Sequence, residues 1–214
     1  MARLTRPENQ ALTRERLLAT AKSLFLSDGY HPTSIEKVAD AAGYSKGAVY
    51  SNFSSKDELC MAVLDSIRRD ETEVLLSALA QVHTLESRID ALQTWADQRI
   101  GDGQWTSLEL EFSAHARRDP ALRAVLARRN AAMMRACAHL IALQIAEMPT
   151  KPAMSAEAIA SATVSLAIGL GFQRSIDPSI SINSFMQTYR TLLTGNPQNN
   201  NQQTRQRHTI DHTP

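Results

Sequence analysis

Within Lys46–Tyr50 the chain places a cation, two minimal side chains and a phenol on little more than one helical turn, followed at once by Ser51 and Asn52. Gly47 and Ala48 let a helix backbone come close to another body. Lys46 supplies charge, and Tyr50, Ser51 and Asn52 supply hydrogen-bond donors. A surface of that kind suits a groove lined with phosphates, as recognition helices of helix-turn-helix proteins show near their N-termini. The same residues would also serve as a solvated helix in a surface loop, so the elements around them must decide.

Ser45 is placed to cap a short helix through Tyr50 or Ser51, and Ser55 with Glu58 forms an S-x-x-E capping box that opens the next one. Upstream, Thr33 and Glu36 form a similar box after Pro32, and Ile35, Val38, Ala39 and Ala42 share one face of a helix stopped by Gly43. A first helix from about Ala11 to Ser27 carries Leu17, Leu18, Ala21, Leu24 and Phe25 at helical spacing and ends at Asp28-Gly29. Helix, glycine turn, short helix is the helix-turn-helix order. Ser34, exposed at the start of the second helix, would be a phosphate site.

The run from Gly29 to Leu59 resembles the N-terminal DNA-binding domain of the tetracycline repressor (TetR) family. Gly29, Tyr30, Thr33, Ser34, Val38, Ala39, Ala42, Gly43, Ser45, Gly47, Ala48, Val49, Tyr50, Phe53, Lys56 and Leu59 stand in the family's register. Ser54, Ser55 and Tyr44 depart from its usual pattern. The resemblance implies that Ser34 bonds a phosphate, that Lys46, Gly47 and Ala48 lie against bases or backbone, and that Tyr50 and Lys56 clamp phosphates. Asn52 stands where the family often has histidine. With Thr33, Ser45 and Ser51 these make the expected DNA-binding set.

Beyond the head, composition favours helix: 43% hydrophobic residues, only eight glycines and few aromatics. A long helix from Ser55 to about Val82 links two bodies, and Leu85–Ile100, Gln104–Arg117, Ala121–Glu147, Ser155–Phe172 and Ser181–Thr194 follow as further helices. The expected fold is all-α, with about nine helices: a three-helix helix-turn-helix head over residues 1–54, including a mobile arm 1–10, and a helical ligand-binding and dimerisation body over 55–194. Residues 195–214 read as a disordered polar tail. The stretch Ser155–Phe172 is apolar nearly all round apart from Glu157, which asks for cover on two sides. Its own core is one cover and a second copy of the chain the other, through Ile159, Thr163, Leu166, Leu170, Ile182, Phe185, Tyr189 and Leu193; the alternative is a three-layer monomer core.

The net charge of +1 gives no bulk argument for nucleic acid, so binding must come from a local patch. Cys60 and Cys137 lie too far apart in sequence for a metal or redox motif, and a cytoplasmic protein without a leader or a membrane span is expected. No G-x-S-x-G, phosphate loop or H-E-x-x-H occurs, so neither an enzyme nor a cofactor is expected. Glu111, His115, Cys137 and His139 are the best metal candidates, though an i, i+4 Glu–His pair more often is a surface contact. Trp95, Gln98, Trp105, Phe112, His115, Met133, Met134, Cys137 and Phe172 have the character of an adaptable apolar pocket for an apolar or aromatic effector. That such a body senses a ligand is what the resemblance implies. The reading is a regulator that binds a palindromic operator in double-stranded DNA as a homodimer, a repressor released by a small molecule. The alternative is an activator or a ligand-independent architectural factor.

Overall fold

The computed structural model describes residues 5–195. The arm residues 1–4 and the polar tail 196–214 lie outside that range. Nine helices make up the described chain: α1 (Arg6–Asp28), α2 (Ile35–Ala42), α3 (Lys46–Tyr50), α4 (Lys56–Ala80), α5 (Leu85–Arg99), α6 (Gly103–Ala116), α7 (Pro120–Ala146), α8 (Ala156–Ile176) and α9 (Asn183–Thr194). The all-α reading holds. The first helix, however, starts at Arg6 and not near Ala11, because Thr5 and Glu8 form a reciprocal capping box and Pro7 sits in the first turn. Arg6–Gln10 is therefore helix and not arm.

Side-chain caps start the other head helices. Ser34 accepts from the Lys37 N–H, Ser45 from Ala48 N–H, and Ser55 from Glu58 N–H. The Thr33–Glu36 box is not formed, since the cap falls one residue later on Ser34. The Glu58 carboxylate likewise accepts from Ser54, at both its N–H and its hydroxyl, instead of from Ser55. Gly43 closes α2 with φ +72°, a left-handed conformation that lets Tyr44 N–H reach Ala39 O at 2.9 Å and turns the chain into α3.

Two apolar cores hold the helices. The first gathers Leu17, Ala21 and Phe25 of α1, Val38 of α2, Val49 of α3, and Leu59, Val63 and Ile67 of α4. It also takes Leu108, Phe112 and Ala116 of α6 and Leu122 at the start of α7. The second joins Ile89 and Ala96 of α5, Ile141 of α7, Ile159 and Leu170 of α8, and Phe185, Tyr189 and Leu193 of α9. The head is thus not sealed by its own helices; α6 completes its core.

One helix among the described residues, α8, is long and apolar enough by length and composition to cross a bilayer. It runs to Ile176, four residues past the expected end at Phe172. It is packed by α6, α7 and α9, and its exposed face carries Ile168 (60%), Phe172 (48%) and Ile176 (71%) one turn apart.

Candidate nucleic-acid interface

Valine at position 49 anchors the short third helix: it is fully buried in the first core, so the rest of α3 must face outward. Ser45, Lys46, Gly47, Tyr50 and Ser51 are exposed, Ala48 and Asn52 half-buried. Tyr50 is 48% exposed, a large aromatic left in solvent beside Lys46, whose ammonium lies 5.8 Å from the ring centroid. Ser34 is exposed at the N-terminus of α2. Two helix starts, a cation, a phenol and hydroxyls thus share one accessible surface, which is able to take phosphates and approach base edges.

Thr33 leaves the set. It is fully buried, and its hydroxyl donates to Gly29 O at 2.9 Å and Leu24 O at 3.3 Å, so it fixes the loop before α2 and touches nothing outside. Asn52 and Ser51 both donate back to Ala48 O, at 2.8 and 2.9 Å, and stabilise the end of α3. Lys56 is half-buried: its ammonium donates to His31 O at 3.2 Å and lies 4.2 Å from the Tyr30 ring centroid, and burial lowers its pKa. Arg14 reaches across from α1, its guanidinium 4.0 Å over the Phe53 ring and bonded to Asn52 O.

Acidic residues answer the head's lysines. Lys22 pairs with Asp70 at 2.8 Å and Lys37 with Asp28 at 2.5 Å. Lys46 is bonded to Glu36 of α2, which raises the lysine's pKa and lowers the glutamate's. Glu36 is a residue of this surface that sequence reasoning placed only in a cap. Its exposure at the second position of α2, three residues past Thr33, was the signal available.

Behind that surface the head is fastened to α6. Tyr30 N–H donates to Glu111 Oε2 at 2.8 Å, and the Tyr30 hydroxyl donates to Asp57. Asp57 also lies 3.2 Å from His115 Nε2. Burial first, and then the bond to Asp57, drive the Tyr30 pKa far upward, while burial pushes the Cys60 thiol up to about 12. Along the same seam Arg68 of α4 donates to Glu109 of α6 at 2.6 Å, and Arg129 of α7 pairs with Asp65.

Comparison with known proteins fits this geometry. Residues 17–63 match the family described as bacterial regulatory proteins, tetR family, and residues 90–193 match the C-terminal domain described as that of a BetI-type transcriptional repressor. The chain belongs to the TetR family. The transcriptional activator FasR of Mycolicibacterium smegmatis is 47% identical to this TetR-family chain over 51 residues, 24% of this chain and 23% of that protein. The transcriptional repressor AcnR of Corynebacterium efficiens is 27% identical over 114 residues, 52% of this chain and 55% of its own. These matches span about half or less of the relatives' lengths. Among solved structures, NalD, the secondary repressor of the MexAB-OprM multidrug efflux pump in Pseudomonas aeruginosa, superposes with a TM-score of 0.58 at 24% identity. That match covers 87% of this chain and 98% of NalD, and it is a likeness of fold.

In this TetR-family body the expected pocket residues do not come together. Phe112 is fully buried in the first core with Trp105 against it, and His115 is held at Asp57. Trp95 and Cys137 pack on the second core, Met133 and Met134 are half-buried, and Gln98 and Phe172 are exposed. The metal candidates part in the same way: Glu111 and His115 serve the head junction, Cys137 lies in the second core and His139 faces solvent. No group of three or more such ligands assembles among the described residues.

Six of the eight expected dimer residues are corrected too: Ile159, Leu170, Ile182, Phe185, Tyr189 and Leu193 are buried inside the protomer, and the Tyr189 hydroxyl is bonded to Gln144 at 2.9 Å. Thr163 and Leu166 are half-buried. A helix apolar all round does not say which side its own fold covers; the uncovered side is Ile168, Phe172 and Ile176.

Proposed function

We propose that this TetR-family chain is a homodimeric transcriptional repressor that binds a palindromic operator in the cytoplasm and is released by a small effector. The observation that carries it is the accessible surface of Ser34, Ser45, Lys46, Gly47, Tyr50 and Ser51 on two capped helix starts. The repressor sign follows the match of the body to a repressor domain. The match to an activator is confined to a stretch too short to include the body.

Dimerisation in this reading uses the exposed Ile168, Phe172 and Ile176 stripe, since an apolar face of that size gains by being covered. The effector acts on the body. Trp95 supports a site at the second core: its indole N–H is buried without a hydrogen-bond partner, and a ligand acceptor there would satisfy it. The bonds of Tyr30 to Glu111 of α6 and Asp57 of α4 give the body its hold on the head. A coupling of roughly 1–3 kcal/mol through them would change operator affinity about 5- to 150-fold.

The test is binding to operator DNA at several salt concentrations. Lys46→Ala with Tyr50→Phe should lower affinity and flatten the salt dependence by about one charge. Unchanged affinity and slope would refute the assignment of this surface.

A further inference from the structure

Glu36 and Lys46 stand on different helices, α2 and α3, and their side chains meet on the surface assigned to DNA. Both are more than half exposed, at 55% and 53%, so nothing in the interior demands the pair. Two other lysine pairs of the head tie helices together elsewhere: Lys22–Asp70 joins α1 to α4, and Lys37–Asp28 joins α2 to the end of α1. The Glu36–Lys46 pair differs because it engages the one cation of the recognition helix and sits beside the exposed Tyr50 ring.

An ammonium offers three donors and no acceptor, and an ionised carboxylate is acceptor only. Side by side, they form a donor and acceptor doublet. In the major groove a G·C pair shows two adjacent acceptors, guanine N7 and O6, and then one donor, cytosine N4. An A·T pair places its donor, adenine N6, between acceptors at adenine N7 and thymine O4, so a carboxylate reaching that donor also meets an acceptor. We infer that Glu36 is a specificity-determining residue of the operator contact, accepting from cytosine N4 while Lys46 donates to the guanine of the same G·C pair.

The inference rests on the head's binding DNA through α2 and α3. In free protein the two groups satisfy each other, and on a matching site each exchanges its partner for a base edge. Away from such a site Lys46 must leave Glu36 to reach a phosphate, and the carboxylate repels that phosphate. Glu36 therefore weakens binding to unrelated DNA as well as choosing a base pair.

Selection from a randomised duplex library, with the full-length protein and its Glu36→Gln and Lys46→Ala variants, tests this. Wild type should enrich half-sites with one invariant G·C pair, and both variants should relax that same pair while retaining the others. Replacing the pair by A·T should cost wild type on the order of tenfold in affinity and Glu36→Gln less than about threefold. Glu36→Gln should bind unrelated duplex more tightly, with a salt slope steeper by about one charge. A bridge that only braces the helices would move none of the base preferences. Unaltered preference at every position in Glu36→Gln overturns the inference while leaving DNA binding intact, and failure of wild type to enrich any sequence overturns both. Circular dichroism and thermal melting of each variant confirm that the exposed substitutions leave the fold in place.

Discussion

Tyr30 concentrates more of the head's attachment than any neighbouring side chain. Its backbone N–H donates to Glu111, its hydroxyl to Asp57, its ring packs edge-on to Phe112 at 5.3 Å, and Lys56 lies over it. Burial raises the pKa of Tyr30 and carries the Cys60 thiol from 9.0 to about 12. Raised values mean that both groups stabilise the fold fully below their unfolded pKa and lose that contribution as pH climbs towards the folded one. The urea midpoint should therefore fall as pH rises above about 9, the ordinary thiol value. Tyr30→Phe should cost roughly 1–2 kcal/mol near neutrality, where the bond to Asp57 is lost, and should flatten part of the alkaline decline. A wild-type midpoint independent of pH across that range would contradict this account. The thiol should also resist alkylation in the folded protein and react only on unfolding.

At the scale of elements, two glycines separate backbone strain from steric conflict. Gly43 has φ +72° with open space where a Cβ would go, so Gly43→Ala should cost only the conformational penalty, about 1 kcal/mol. Gly101 has φ +90°, and a Cβ there would lie 2.3 Å from Arg174 Cβ. Arg174 cannot swing away, because its guanidinium donates to Ile180 O at 2.7 Å and Asp97 O at 3.0 Å. Gly101→Ala should accordingly cost about 2–4 kcal/mol, read as a larger drop in the urea midpoint. The helices themselves were legible from apolar spacing and from capping serines such as Ser45 and Ser55, which act within a few residues. Thr5 with Glu8 carried the same signal and extends α1 by more than a turn. What could not be read were contacts between distant segments, such as Asp57 with His115, or which side of α8 faces inward. Those depend on how α6, α7 and α9 are laid against the chain, and Ile159 and Ile168 are alike until that packing exists. On the DNA surface, Lys46 and Tyr50 were legible by type, while Thr33 was not, because its burial comes from carbonyls of Leu24 and Gly29 brought in by the preceding loop.

For the whole molecule, the exposed stripe on α8 is the proposed dimer contact. Phe172→Asp together with Ile176→Asp should shift the proposed dimer to monomer in sedimentation at micromolar concentration, since two carboxylates would have to be desolvated in the contact. The same variant should bind a duplex with two half-sites more weakly while keeping its single-half-site affinity; a dimer that persists would place the interface elsewhere. The shared first core bears on synthesis as well. A chain leaving the ribosome presents α1 to α4 first, yet the core around Phe25 and Tyr30 stays incomplete until Leu108, Phe112 and Ala116 have emerged. The nascent head cannot close on its own. A message cut short before α6 would therefore yield an unfinished, sticky fragment in place of a free DNA-binding domain competing for the operator.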